Sequence, residues 1–457
     1  MSSSSEKRHQ AESSAIRHLW PHSNDLQWDE FTERGLRVFV SGQGSTLTDV
    51  HGDTYLDGLA GLFLVNVGHG RAEIGQAMAE QAGRLAYTAS SNSANVANVE
   101  LTETLSRLTP GDLDRIFLCS GGSEAVETAL KIAKQYQVLR GFPKRYKVIC
   151  RRGSYHGQTF GAMSLTTSSS EKYFGPFMAG VSKVPSPNHY KNEMGLEGEA
   201  GDLACARAVE LEILAQGPEF VAAVIGEPIS AANGTHVPSP AYWQELRRIC
   251  DRYGVLLIFD EVINGFGRTG NLFAAEHFGV VPDILTMAKG ISSGYAPVAA
   301  VAVRGEVFEP FTEFGGAINH LLTFGGNAVA SVAASKNIEI LLEEELTERA
   351  DRMGRRLREL LADLESHPTV GDIRGLGLLA GVELVKSKET KENWGTEHPF
   401  IKGLALRTQE KGLITRVWDT LHLAPPLVIE EDELERIVAI IDDCLTEAEA
   451  EFADEIG

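Results

Sequence analysis

Two apolar stretches, VLLIFDEV (255–262) and DILTMAKG (283–290), decide the fold of this chain. Each is a short apolar run of the kind that forms a buried strand. The first runs into Asp260 and the second into Lys289. Because open α/β sheets place their ligands at the carboxyl ends of the strands, the two stretches predict a binding site with a carboxylate and an amine at one edge of a sheet.

Strands and helices alternate around these two stretches. Residues 72–87 and 96–111 have helical periodicity. The apolar runs at 115–119 and 146–150 are short enough to be strands. Such alternation is typical of a parallel sheet with helical crossovers, so the chain is predicted to be α/β. Residues 34–60 differ, because short alternating strands with glycine-containing turns predict a small antiparallel sheet.

The length of 457 residues exceeds that of a single hydrophobic core, so two domains are expected. Residues 1–71 are assigned to an N-terminal segment, which comprises a polar leader and part of a small domain. Residues 72–335 form the predicted large domain, and residues 336–457 complete the small one. The second boundary lies in a long helical tract, 330–366.

Composition and charge exclude several classes of protein. With 43% hydrophobic and 23% charged residues, the chain is typical of a folded protein, and its net charge of −21 argues against nucleic acid binding. The five cysteines lack C-x-x-C spacing, which predicts reduced thiols and no zinc site. The first residues lack the apolar segment of a secretory signal, and no apolar run reaches the ~18 residues of a membrane span. A cytoplasmic protein is the expectation.

The junction at 115–123 combines a strand, two glycines, a serine and a helix, which indicates an anion site. Gly121 and Gly122 let backbone N–H groups approach an oxyanion, and Ser123 adds a hydroxyl donor. The positive end of the helix dipole points at the same place. A nucleotide P-loop is excluded there, because its lysine-containing motif is missing.

Two further strands end in residues that could face a ligand. Tyr155, His156 and Gly157 follow one strand, where an aromatic ring could lie on a bound heterocycle while the glycine gives clearance. Alternatively, this motif is an exposed loop. Glu227 ends another strand, and it either orients a ligand or forms an ordinary ion pair. Phe63 is a candidate wall of the pocket, and a role in the hydrophobic core is an equal alternative.

Together these motifs resemble the class III (ω-amino acid and amine) aminotransferases of the pyridoxal phosphate-dependent fold type I. The resemblance extends over nearly the whole chain. Its most specific part is FDEVINGFGRTGNLFAAEHFGVVPDILTMAKGISSGYAP (259–297), in which the aspartate and the lysine have the spacing of the family. The other matching segments are DGLAGLFLVNVGHGR (57–71), SGGSEA (120–125), SYHG (154–157), GEPI (226–229), LTFGGN (322–327) and APPLV (424–428).

The resemblance implies a large domain with a mostly parallel sheet and a smaller α+β domain built from both ends of the chain. It also implies pyridoxal 5'-phosphate as the cofactor. Lys289 would form the Schiff base with the cofactor, and Asp260 would hold the proton on the pyridine nitrogen. The remaining cofactor contacts implied are Gly121, Gly122, Ser123, Tyr155, His156, Gly157, Glu227, Val262 and, from the neighbouring subunit, Thr323.

For the substrate, the resemblance implies that Arg416 pairs with a carboxylate and swings aside for other side chains. Phe63 and Tyr87 would help to decide the size of the amine donor. The departures from the family pattern are Gly121 in place of a common serine, Phe324 in place of a tyrosine and Asn327 in place of a histidine. They put substrate contacts in question rather than the type of reaction.

The function implied is transamination in two half-reactions, from an ω-amino acid or amine to a keto acid such as pyruvate. Family members are typically homodimers or larger, with active sites at the subunit interface. One alternative keeps the cofactor but changes the outcome, to amino-group migration or decarboxylating transamination. Another is a catalytically silent binding protein on the same scaffold.

Overall fold

The computed structural model describes residues 4–20, 22, 36–167, 171–313 and 317–457. The start of the predicted leader and residues 34 and 35 of the predicted antiparallel sheet lie outside the described residues. The helices span Ser4–His18, Ala60–Phe63, Ala72–Arg84, Val96–Leu108, Gly122–Leu139, Phe160–Leu165, Glu171–Phe174, Gly198–Gln216, Pro240–Tyr253, Ala275–Phe278, Gly305–Glu313, Ala328–Glu343, Leu346–Ala362, Pro399–Glu410 and Glu431–Glu451. Short 3-10 turns occur at Pro218–Phe220, Lys289–Ile291, Asp363–Ser366 and Ala453–Glu455.

A seven-stranded sheet carries the predicted strand ends. Three small strands of another sheet come first in the chain: β1 (Phe39–Gln43), β2 (Thr46–Asp49) and β3 (Thr54–Asp57). The seven strands of the large sheet are β4 (Arg115–Cys119), β5 (Lys147–Arg151), β6 (Val181–Val184), β7 (Val221–Gly226), β8 (Leu256–Asp260), β9 (Ile284–Met287) and β10 (Ala299–Val303). The spatial order is β4-β10-β9-β8-β7-β5-β6. β10 points in the opposite direction to the other six strands of this sheet, which are parallel to one another, so the prediction of a mostly parallel sheet is confirmed.

Helices cover the central strands of this sheet, which is why these strands are apolar along their whole length. Every residue of β7 and β8 is buried. The helix Pro240–Tyr253 begins with a proline and ends at Gly254 in the left-handed conformation (φ 62°), as its sequence predicts. Its Trp243 packs edge-on against Phe259 of β8, with ring centres 4.5 Å apart. Packing of this kind fixes the end of β8, where Asp260 lies.

Both ends of the chain build the smaller sheets. The predicted antiparallel arrangement of β1, β2 and β3 is confirmed, and β14 (Leu413–Ile414) adds to β3 in parallel. A second small sheet contains β11 (Val370–Gly375), β12 (Ala380–Ser387), β16 (Thr420–Leu423) and β15 (Arg416–Val417). The two-residue strand β13 (Glu392–Asn393) pairs with β12.

The helical tract 330–366 consists of two long helices and a short 3-10 turn. The first break follows Glu343, and Glu345 adopts a positive φ of 50° between the two helices. Asn327 caps the first of these helices, Ala328–Glu343, because its side chain accepts a hydrogen bond from Ala330 N–H (3.0 Å). None of the helices in the described ranges combines the length and apolar character that a membrane crossing requires.

Candidate active site

A cavity of about 160 Å³ lies at the carboxyl edge of the seven-stranded sheet. Asp260 at the end of β8 and Lys289 just after β9 both line it, so the structure brings the predicted carboxylate and amine together. The other predicted residues that line this cavity are Gly122, Ser123, Tyr155, His156, Gly157, Glu227 and Val262.

The backbone turn after β9 presents the amine. Lys289 has a positive φ of 49°, a strained conformation for a residue with a side chain. The buried Asn337 stabilises this turn by donating to the carbonyl oxygens of Gly290 (2.8 Å) and Ile291 (3.0 Å). A side chain on Gly290 would overlap the Asn66 amide. Sequence reasoning missed both asparagines, because nothing nearby in the chain marks them.

Lys289 is poised to lose its proton near neutral pH. Burial lowers its pKa to about 8, since a charged ammonium is poorly solvated there. Asp260 opposes this shift by attracting the charge, and the positive charge of Arg416 adds to it. A neutral amine is the form that can attack an aldehyde or accept a proton.

Asp260 is only 4% exposed, and three groups hold its carboxylate. Oδ1 accepts hydrogen bonds from Val262 N–H and from the Thr286 hydroxyl, each 3.1 Å away. His156 Nδ1 donates to Oδ2 over 2.7 Å. The ring of His156 is thus directed at this carboxylate, which makes His156 a partner of Asp260.

A buried chain of ionisable side chains continues behind Asp260. His156 Nε2 lies 3.8 Å from Glu227 Oε2 and has no hydrogen-bond partner among the described residues. Arg151, at the end of β5, donates to the same Glu227 oxygen over 2.8 Å. Burial raises the pKa of Glu227, but His156 and Arg151 outweigh that effect and lower it. Sequence reasoning named Glu227 and His156 but missed Arg151. Its position directly after a predicted strand could have marked it as a candidate site residue.

The glycine junction forms a cradle at the start of the helix Gly122–Leu139. Gly121 is extended and precedes the helix, although it does not line the cavity. Ser123 Oγ accepts a hydrogen bond from Gln158 N–H at 3.0 Å, which joins the cradle to the Tyr155 segment. Gly157 has a positive φ of 130°, and a side chain there would overlap Ser123. Only glycine allows this close approach.

Two further predicted residues, Tyr155 and Val262, line the cavity. Tyr155 is 38% exposed, and its backbone N–H donates to Glu227 Oε1 over 2.9 Å, so the charged chain also positions this aromatic residue. Val262 lies at the cavity as well and packs on Gly122, where any side chain would meet it. Tyr155 and Val262 thus line the same cavity as Asp260 and Lys289.

The Lys289 cavity is not lined by the residues predicted to contact the substrate, Phe63, Tyr87 and Arg416, nor by Thr323, which was predicted to contact the cofactor phosphate. Arg416 lines a second cavity of about 700 Å³. Its Cζ atom is 5.4 Å from the ring centre of Phe63, which lines neither cavity and is buried in the hydrophobic core, the alternative that the sequence left open. Tyr87 is 45% exposed and lines neither cavity. Thr323 is also exposed, in a turn, and lines neither. Within one chain, the structure does not bring Tyr87 or Thr323 to the Lys289 cavity.

The donor set fits pyridoxal phosphate. Lys289 would offer an amine to the aldehyde, and Asp260 would offer an acceptor to a protonated ring nitrogen, from the same cavity. Ser123 and the helix start at Gly122 are donors for a phosphate, as expected for an anion at a helix N-terminus.

Comparisons with known proteins agree with this chemistry. The sequence profile of the family "Aminotransferase class-III" matches residues 32–445. A probable aminotransferase of Mycobacterium tuberculosis is 41% identical over 437 residues, which cover 92% of each chain. The taurine–pyruvate aminotransferase of Bilophila wadsworthia is 38% identical over 432 residues, 91% of this chain and 93% of that one.

A solved structure is similar over almost the whole length. The ω-transaminase from Pseudomonas jessenii, in complex with PMP, superimposes with a TM-score of 0.92 at 34% identity, covering 97% of this chain and 99% of that chain. The agreement of profile, relatives and structure with the arrangement of lysine, aspartate and glycines settles the family. The chain belongs to the class III aminotransferases, enzymes that depend on pyridoxal phosphate.

Proposed function

We propose that this aminotransferase moves an amino group from an ω-amino acid or amine to a keto acid such as pyruvate, in two half-reactions at one site. The observation that carries the proposal is the cavity at the end of the sheet in which Lys289 and Asp260 lie together with the glycine junction. The positive charge of Arg416 acts on the same amine and helps to lower its pKa, and a guanidinium can pair with the carboxylate of a keto acid. The similar enzyme from Bilophila wadsworthia is named for an amine donor, taurine, and a keto acid, pyruvate.

In this proposal Lys289 and Asp260 are the catalytic residues. The bound cofactor supplies an electron sink for the charge left when the substrate loses a proton. Asp260 keeps the proton on the ring nitrogen of the cofactor and thereby strengthens the sink. Lys289 Nζ would hold the cofactor's aldehyde carbon and, once displaced by substrate, take the proton from the substrate carbon that carries the amino group. Its lowered pKa supplies the neutral amine that both tasks need.

The other cavity residues hold the cofactor. Gly122 and Ser123 would bind the phosphate with Gly121 shaping the approach, and Tyr155 and Val262 would contact the two faces of the ring. His156 and Glu227 would position Asp260 and Tyr155 through the contacts described above, and Gly157 gives clearance. Phe63 and Tyr87 are proposed to limit the size of the amine donor.

We also propose that two copies of the chain complete the site. Thr323 is exposed and does not reach the cavity of its own chain, which is what a residue that serves the neighbouring subunit requires. Leu321, just before the turn, and Phe324 within it are each 64% exposed, so apolar side chains flank Thr323 on a surface that a second copy could cover. We further propose that the domains divide after residues 71 and 335. We also propose a cytoplasmic location, because the five cysteines are buried and unpaired.

A donor panel tests the proposed function. The donors β-alanine, taurine, putrescine and 1-phenylethylamine are each paired with pyruvate and with 2-oxoglutarate, and Lys289→Ala serves as the blank. We expect at least one donor to form alanine from pyruvate in an amount equal to the donor consumed. Release of carbon dioxide, or turnover without a keto acid, would instead indicate decarboxylation or amino-group migration.

A further inference from the structure

The guanidinium of Arg416 lies against two aromatic rings. Its Cζ atom is 4.4 Å from the ring centre of Trp418 and 5.4 Å from that of Phe63. Both distances fall within the roughly 6 Å over which a cation is attracted to an aromatic face. Trp418 also lines the cavity of about 700 Å³ that contains Arg416. The contact therefore lies at a substrate-sized cavity.

Trp418 is held in place by a well-anchored turn between β15 and β16. Its backbone N–H donates to Thr420 O over 3.1 Å. The next residue, Asp419, accepts two hydrogen bonds of 2.8 Å. Its side chain accepts one from Gly395 N–H, and its backbone carbonyl oxygen accepts the other from Leu384 N–H. The turn is thereby tied to β12 and to the loop at Gly395. The backbone that carries the indole is consequently anchored on both sides of the contact with Arg416.

A buried histidine completes this aromatic group. His422 is paired with Arg416 across β15 and β16, and its ring centre is 6.0 Å from that of Trp418 and 6.1 Å from that of Phe63. Burial lowers the pKa of His422 to about 3, and the positive charge of Arg416 adds to the shift. His422 is therefore neutral near pH 7, so the surface under the guanidinium carries no competing charge.

Stacking in this position suits carboxylate binding. A guanidinium that contacts a ring through its flat face keeps the N–H groups of its edge outside the stacking contact. Those edge groups make the bidentate pair with a carboxylate. Because the Cζ atom of Arg416 lies over the Trp418 ring at 4.4 Å while its charge acts on Lys289, the contact is compatible with a carboxylate paired with Arg416 on the side of the amine.

We propose that Trp418 is a specificity-determining residue of this aminotransferase. Its ring holds Arg416 in the orientation that receives a substrate carboxylate, and it thereby sets the preference for carboxylate-bearing over uncharged substrates in the shared site. This inference rests on the role proposed for Arg416 in the function above. It requires Trp418 to act through Arg416, without touching the reacting atoms.

The test measures carboxylate binding apart from turnover. Propionate, an unreactive analogue of pyruvate, is titrated into the cofactor-loaded enzyme by calorimetry, and both KM and kcat are measured with pyruvate as acceptor and with phenylethylamine as donor. For Trp418→Leu we expect the Kd for propionate and the KM for pyruvate to rise about five- to tenfold, the range of a partly desolvated cation–π contact. The KM for phenylethylamine should change less than twofold, and Trp418→Phe should recover most of the loss.

Two controls separate this role from a structural one. Trp20→Leu makes the same change at a side chain that is 88% exposed and should match the wild type. In an Arg416→Ala background, Trp418→Leu should have no further effect on propionate. Unchanged propionate affinity in Trp418→Leu, or equal losses for propionate and the uncharged amine, would overturn the proposal. If the wild type bound propionate and Trp418→Leu weakened that binding, but no donor supported transamination, the proposed function would be refuted and the role of Trp418 in carboxylate binding would stand.

Discussion

The lowered pKa of Lys289 leads to a prediction about how the apoenzyme takes up its cofactor. Only the neutral amine can attack the aldehyde carbon of pyridoxal phosphate, so the rate of covalent attachment should follow the neutral fraction of Lys289. Burial places the pKa of that amine at about 8, whereas an ordinary lysine has a pKa of 10.5. The rate should therefore rise with pH and level off above about pH 8 to 9.

The expected magnitude follows from these two pKa values. At pH 7 about 10% of an amine with a pKa of about 8 is neutral, against about 0.03% for one at 10.5, a ratio of roughly 300. Arg416→Ala removes a positive charge that lowers the pKa of Lys289, so its midpoint should move to higher pH. Asp260→Asn removes a negative charge that raises this pKa, so its midpoint should move to lower pH.

The assay is stopped-flow absorbance after mixing apoenzyme with pyridoxal phosphate between pH 6 and pH 10. Lys289→Ala should show no covalent phase, and reaction of the cofactor with Nα-acetyl-lysine amide corrects for ionisation of the cofactor itself. A midpoint at or above pH 10 in the wild type would refute the reasoning. Shifts of the Arg416→Ala and Asp260→Asn midpoints in the same direction would refute the assignment of their charges.

Three further predictions concern the buried carboxylates. Asp260→Asn should lower kcat by roughly 10- to 150-fold, the equivalent of a charge-assisted hydrogen bond of about 1.5–3 kcal/mol, while circular dichroism stays unchanged; a kcat within threefold of the wild type would contradict this. Glu227→Gln should lower the free energy of unfolding by about 3 kcal/mol, because Arg151 is left as a buried charge without its partner; coincident urea midpoints with equal slopes would disprove it. Glu261 is fully buried, and burial raises its pKa to about 8 although two backbone N–H groups favour the charged form. Its contribution to stability is therefore present below pH 4.5 and is lost as pH rises through 8. The difference in Tm between Glu261→Gln and the wild type should consequently grow in favour of the variant between pH 6 and pH 9. Parallel Tm profiles of the two proteins would exclude the effect.

Much of the architecture, and the place of the candidate site within it, could be predicted from local patterns. The apolar strands that end in Asp260 and Lys289 were recognisable because a buried strand must be apolar throughout, and a charged residue marks the point where it leaves the core. The cradle at Gly122 was recognisable for a similar reason, since only glycine lets the backbone approach an anion so closely. These signals depend on a few neighbouring residues and on backbone geometry.

The contacts that tune these groups depend on residues far apart in the chain. Arg151 and Glu227 are 76 positions apart and meet because β5 and β7 are neighbours in the sheet. Asn337 supports the turn after Lys289 from a helix almost 50 positions away, and Trp418 meets Phe63 at Arg416 only after both ends of the chain have joined. Local sequence dictates which backbone conformations a residue can adopt. The pKa of a buried group instead depends on charges and solvent exclusion in three dimensions, and these arise only when distant segments pack together.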